Sequence, residues 1–188
     1  MKHIIRISFI LAAVFITIIS TAFAAPATKS VIMDDSFDLS SIHTIAIAMP
    51  NYIQTNNSPK IGDVTAILAQ NGFDSRRLKN ITIIPYSVIA NSIKKDTNID
   101  LQKVDRHTAE SVFQKNIKKY ADAYLVLTVA NNSRVVLFYD LYSAKTNDYL
   151  YSYKVIGGGQ SDNNLKKYEV FNDMFYDTLA QTIKDQHK

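Results

Sequence analysis

The chain has no cysteine among its 188 residues. This excludes disulfide staples, thiol nucleophiles, thiolate metal sites and lipid attachment through an amino-terminal cysteine. Histidine is nearly as scarce, with four in all and no pair at HxxxH spacing, so no metal-ligand set is expected. An excess of one charge is missing too. With Lys2 and Arg6 set aside, 19 Lys and Arg stand against 17 Asp and Glu. The basic doublets Arg76-Arg77, Lys94-Lys95, Lys118-Lys119 and Lys166-Lys167 are scattered over separate segments. Such a balance leaves no electrostatic footprint for nucleic acid. Three of the five glycines fall together at Gly157 to Gly159, but Gln160-Ser161-Asp162 follows them. That is neither GxxxxGK[ST] nor GxGxxG, and Asp162 would repel a phosphate, so a strand-to-helix turn is expected and no cofactor. Internal repeats and low-complexity tracts are absent.

The longest apolar run, Phe9 to Ile19, is interrupted only by Thr17. It is far shorter than the roughly 20 residues a bilayer core requires. Lys2 and Arg6 precede it and Ala22-Phe23-Ala24 follows it, the three-part pattern of a compact, bacterial-type signal peptide. Cleavage is expected before Ala25, or one residue later. The mature chain is then exported, periplasmic or extracellular, with no membrane span after cleavage. Removal of residues 1–24 leaves 164, enough for one domain whose core holds it without staples.

Residues 25–42 are small and polar, with an acidic knot at Asp34, Asp35 and Asp38, and read as an extended leader before a domain over 43–188. The knot lacks EF-hand spacing, so a calcium site is not expected. His43 to Met49 reads as a buried strand stopped by Pro50. Ser58-Pro59 opens a helix whose apolar face is Ile61, Val64, Ile67 and Leu68, closed at Gly72. A second strand is Ile81 to Ile84, and Ser87 is placed to cap a short helix through Ile93. Asp105 is placed to cap the next, with Ala109, Val112, Phe113, Ile117 and Tyr120 as its stripe. Three strands follow at 123–129, 134–142 and 148–156, joined by turns too short for anything but antiparallel hairpins. Ser161 or Asp162 then caps a last helix with the stripe Leu165, Tyr168, Phe171, Phe175, Leu179 and Ile183. The order β-α-β-α-α-β-β-β-α predicts an α/β (α+β) fold. It has a mixed sheet of about five strands, a carboxy-terminal antiparallel meander, and helices packed on the sheet. Phe113, Leu127, Phe171 and Phe175 are expected in its core.

Catalytic candidates are thin. His43, His107 and His187 fall on separate elements, and only Asp122 and Asp140 lie where a strand could present an acid. A small hydrolase acting on an envelope polymer is the alternative they leave open. It would need two carboxylates roughly 5–9.5 Å apart in one pocket. Tyrosine is the one compositional excess, with nine of eleven falling between Tyr120 and Tyr176. Strict alternation puts Tyr149, Tyr151 and Tyr153 on one face of the last strand and Leu150, Ser152 and Lys154 on the other. A tyrosine row of this kind suits a partner-binding face, able to stack on sugar rings or anchor a protein. Half-buried strands also favour tyrosine on their own account.

Four segments carry a wider resemblance: FDLSSIHTIAIAMPNY (37–52), ITIIPYSVIANSI (81–93), YADAYLVLTVANNS (120–133) and FYDLYSAKTNDYLYSYKV (138–155). Together they resemble an envelope-associated superfamily. It holds the amino-terminal domain of TolB, the curli secretion channel protein and the lipoprotein activators of penicillin-binding proteins. The resemblance, over roughly residues 37–183, implies a non-enzymatic accessory module that binds an envelope protein or polymer and brings no catalytic residues. The chain departs from many of that group in having no lipid-anchoring cysteine.

Overall fold

The computed structural model describes residues 28–52, 56, 58–70, 78, 80–131, 134–158 and 164–188. The signal segment, Gly72, the Asn132-Ser133 turn, Ser161 and Asp162 lie outside them. The fold is α/β, built on one mixed sheet with helices on both faces. Its strands are β1 (Thr28–Met33), β2 (Thr44–Ile47), β3 (Asn51–Tyr52), β4 (Thr82–Ile84), β5 (Ala123–Asn131), β6 (Val135–Ser143) and β7 (Tyr149–Ile156). The helices are α1 (Ile61–Gln70), α2 (Tyr86–Thr97), α3 (Arg106–Asn116) and α4 (Leu165–Asp185). The sheet runs β1-β7-β6-β5-β2-β4, with the short β3 also paired to β5.

Two of these strands exceed the five expected. Thr28–Met33, read from sequence as part of a leader, pairs antiparallel with β7 as the sheet's edge, Val31 facing Tyr153 and Ile32 facing Ser152. Its alternation is diluted by Lys29 and Ser30, and the strand gains its partner from the far end of the chain. The acidic knot behind it is used locally. Asp34 accepts from the Ser36 amide (2.9 Å) and hydroxyl (2.6 Å), and Asp38 accepts from the Ser40 amide (2.9 Å) to open a 3₁₀ turn.

Parallel strands need crossovers and antiparallel ones need only turns. β2 accordingly lies between its parallel neighbours β4 and β5, reached through α1 and through α2–α3. β5, β6 and β7 form the expected meander. Asp105 caps α3 as expected, accepting from the Thr108 amide at 3.0 Å. Several termini differ from the sequence reading, and α1 starts at Ile61, with Ser58 and Pro59 before the helix. α2 starts at Tyr86 after Pro85, leaving Ser87 inside its first turn, and runs on to a left-handed Asn98 (φ 60°). The cap of α4 is Asn164, whose side chain accepts from the Lys166 amide. Asn, Ser and Asp are near-equivalent caps, so composition alone does not choose among neighbours.

The two helix layers divide the core. Alternation sends Leu125, Leu127, Val129, Leu137, Tyr139 and Leu141 to one face, where α4 lies across them with α1 beside it. Asn172 of α4 donates to the Ile67 carbonyl at 3.2 Å, satisfying an acceptor in the last turn of α1. Phe113, Leu127, Phe171 and Phe175 are all buried. The opposite face carries Tyr124, against which Phe113 of α3 packs edge-on (5.6 Å between centroids, 77°).

Gly157, at the exit of β7, has a packing reason to be glycine. A Cβ there would sit 3.2 Å from the Phe171 ring, while its amide donates to the Val135 carbonyl at 2.8 Å.

Candidate functional site

The tyrosine row expected on β7 is not a surface. Leu141 of β6 pairs with Tyr151, but the next residue, Tyr142, pairs with Tyr149, so Leu150 is an extra residue in β7. A bulge of that kind shifts side-chain parity by one. The shift carries Tyr149 to the other face, while Tyr151 and Tyr153, paired with Leu141 and Tyr139, point under α4 and are 0 % exposed, tilted against Phe175 at 6.3 and 6.2 Å. Ser152 and Lys154, assigned to the opposite face, do lie there: the Ser152 hydroxyl donates to Asp140 at 2.7 Å, and Lys154 rides over the Phe138 ring. Tyr149 alone stays half-buried on that second face, edge-on to Tyr142 (5.8 Å, 79°).

The remaining sequence candidates are dispersed. Asp122 is folded onto the start of β2, accepting from the His43 amide (3.0 Å), the Thr44 amide (2.9 Å) and the Thr44 hydroxyl (2.9 Å). Burial would raise its carboxyl pKa, but these bonds outweigh burial and hold it below the ordinary value. Asp140 sits mid-strand on β6, and burial pushes its pKa up against the opposing bond from Ser152. Asp122 is tied to Ala144 by the Ala144 amide (2.9 Å), four residues along β6 from Asp140. The backbones of the two acids are thus about 13 Å apart at 3.3 Å per residue. His43 donates its backbone amide to Asp122, and His187 lies 3.4 Å from Asp38. Among the described residues, no group of three or more His, Asp or Glu side chains gathers as a metal site would.

What does gather is aromatic. Tyr86, Phe113, Tyr124, Tyr142 and Tyr149 touch in sequence across the α2–α3 face, with Tyr124 and Tyr142 stacked at 5.3 Å and 18°. Above the stacked pair lies a cavity of about 650 Å³. It runs from the end of β2 (Ala48, Met49, Pro50) past α3 to the β6–β7 turn at Asn147. The place follows from topology. β2 is flanked by two parallel strands whose crossovers pack on opposite faces, so the chain leaves a crevice beyond its carboxyl end. α3 covers β5 and stops, leaving Tyr142 half-buried as the open side of the floor.

The rim is polar and balanced. Arg106 Nε donates to Glu110 across one turn of α3 (2.8 Å), and the same guanidinium reaches Asn51 Oδ1. Asn51 in turn donates to Thr128 at 3.3 Å. The Tyr124 hydroxyl donates to Asn147 Oδ1 (3.3 Å) and is also bonded by Gln114; burial nonetheless raises its pKa. Asn147 holds a left-handed turn conformation, φ 62°.

Sequence reasoning missed this groove because it placed Phe113 in the core and Tyr124 and Tyr142 only within strands, with no contact between the three. One signal was present: Arg106, Glu110 and Gln114 recur at every fourth position of α3, which sets them in a single row beside its apolar stripe.

Among the described residues, no helix is long and apolar enough to cross a membrane. No family model and no curated protein matches the chain. Solved structures similar to it include a PelC dodecamer from Paraburkholderia phytofirmans, at 13 % identity and a TM-score of 0.45. That likeness covers 81 % of this chain and 98 % of the other. The C-terminal domain of LpoB from Escherichia coli is similar at 16 % identity and a TM-score of 0.43, over 64 % of this chain and 87 % of that one.

Proposed function

We propose that this chain is an exported, non-enzymatic binding module of the cell envelope, and that the aromatic groove between α3 and the β5–β6 face is its recognition surface. One observation carries the reading: a cavity of about 650 Å³ is floored by stacked Tyr124 and Tyr142 and rimmed by hydrogen-bonding side chains. Its size and its mixture of apolar floor and few convergent polar groups are those of ligand sites, roughly 300–1,000 Å³. Export rests on the signal pattern of residues 1–24, with the mature chain starting at Ala25. The envelope setting rests on the superfamily that the four sequence segments resemble. A hydrolytic role is disfavoured by the acids themselves, since Asp122 serves as a backbone staple at the start of β2 and Asp140 is bonded by Ser152.

The test is a comparison of Tyr142→Ala with the wild-type chain for recovery of components from envelope extract. Tyr142 is half-buried, so the variant is expected to fold. Its circular dichroism spectrum and melting midpoint serve as the control. Recovery is expected to drop at least tenfold with the fold intact, and an unchanged profile of recovered components would remove the groove from consideration.

A further inference from the structure

The chemistry of the groove narrows its ligand, and this inference rests on the proposal that the groove is the recognition surface. Its charged residues cancel. Arg106 and Glu110 are paired with each other at 2.8 Å, and Arg106 is also held by Asn51. The other hydrogen-bonding side chains lining it beyond the aromatics are amides: Gln102, Gln114, Asn51 and Asn147. An amide offers donor and acceptor at once and no net charge. An anionic or cationic ligand would lose its hydration there and meet no counter-charge. The floor asks for the opposite kind of contact. Tyr124, buried, stacks on Tyr142 at 5.3 Å between centroids, Tyr142 stays half-buried at the groove, and Tyr149 stands edge-on beyond it.

A ligand that satisfies both demands has one flat, weakly polar C–H face and a rim of neutral groups that donate and accept. That is a pyranose ring. Its axial C–H face packs on tyrosine, whose ring is apolar with a polar tip. Its vicinal hydroxyls each need a donor and an acceptor at once, which side-chain amides provide. A flat aliphatic surface would offer the amides' remaining donors and acceptors no partner, and an extended peptide would look for an unpaired strand edge. β5 and β6 are paired on both sides here. We infer that the groove binds a neutral saccharide chain, with a sugar ring stacked on Tyr142 and its hydroxyls bonded by Asn147 and Gln114.

The chain has no tryptophan, so its emission comes from eleven tyrosines, of which Tyr86, Tyr124 and Tyr142 line the groove. The mature chain would be titrated with neutral hexasaccharides (cellohexaose, maltohexaose and chitohexaose). Hexagalacturonate and fully deacetylated chitohexaose serve as anionic and cationic counterparts. Titration calorimetry and tyrosine fluorescence are both read. Expected is saturable binding of at least one neutral hexasaccharide, weakened tenfold or more by Tyr142→Ala and largely kept by Tyr142→Phe, which retains the ring. Phe138→Ala, on the same sheet face but outside the groove, should bind normally. Charged oligomers should bind at least tenfold more weakly than the best neutral one. The inference is overturned if no neutral hexasaccharide binds, if the charged ones bind as tightly, or if Tyr142→Ala binds like wild type. Envelope recovery separates the two levels of the argument. If recovery depends on Tyr142 but no saccharide binds, the groove is a recognition surface for another ligand, such as a protein. If recovery is also indifferent to Tyr142, the groove reading itself falls.

Discussion

The two faces of the sheet are built from the same side chain and do opposite things with it. Under α4, Tyr139 stacks on Phe175 at 4.6 Å and 8°, while Tyr151 and Tyr153 tilt against the same ring and Tyr176 packs beside it. All four tyrosines are fully buried. Across the sheet, Tyr124, Tyr142 and Tyr149 line up as closely, yet the last two keep one side open. The difference lies in the cover. α4 has 21 residues and is about 31 Å long at 1.5 Å per residue, enough to cross a sheet of this width. α3 has 11, about 16 Å, and leaves part of its face without a helix. Tyrosine content therefore marks where rings collect, and helix length decides which of them a ligand can reach.

The sharpest way to break this contrast is to remove one ring from each face. Phe175→Ala takes away the hub that four tyrosines pack on and should cost about 3–5 kcal/mol, the range for large-to-small changes in a closed core. Tyr142→Ala loses two ring contacts on a half-open face and should cost less, about 1–3 kcal/mol. Chemical denaturation of both variants checks the ordering. Equal losses would mean that the groove face is core as well and has no room for a ligand.

A smaller effect tests how tightly the covered face is closed. Gly157→Ala brings a methyl to 3.2 Å from the Phe171 ring, and Phe171 is itself buried on α4. Overpacking of this kind costs about 1–3 kcal/mol, and Phe171→Leu in the same chain should recover part of it by yielding space. If Gly157→Ala melts with the wild type, α4 is less firmly seated than its ring contacts imply.

Most of the scaffold was legible in the sequence because its signals are local. The hairpins followed from short turns, Asp105 from its place before a periodic stripe, and Phe113, Leu127, Phe171 and Phe175 from periodicity. What stayed hidden depends on contacts remote in sequence. β1 is a weakly patterned hexapeptide made into a strand by residues about 120 positions away. Leu150 adds one residue to β7, and that single insertion moves Tyr149 off the face it would share with Tyr151 and Tyr153 under strict alternation. The groove was least legible of all. Its floor joins Phe113, Tyr124 and Tyr142 from three elements, and its openness depends on where α3 ends rather than on any residue in the floor.

The open face also holds a half-buried carboxylate, Asp140, and its titration gives the finest probe of how dry that face is. Asp140 is half-buried beside Ser152, and burial raises its pKa above the ordinary 3.8. A raised acid favours the folded state most when protonated. Its contribution to stability is fullest below the unfolded pKa and is lost as pH rises through the folded value. At neutral pH the ionised carboxylate is therefore a small net burden. Asp140→Asn keeps an oxygen to accept the Ser152 hydroxyl and removes the charge. The variant should melt slightly higher than wild type at pH 7, and the gain should shrink to nothing as pH falls below about 4, where Asp140 is neutral too. Melting curves across pH 3 to 7 read this directly. A variant less stable than wild type at pH 7 would mean that the charge is stabilised by something beyond Ser152, and that this face is wetter than the covered one by more than the missing helix explains.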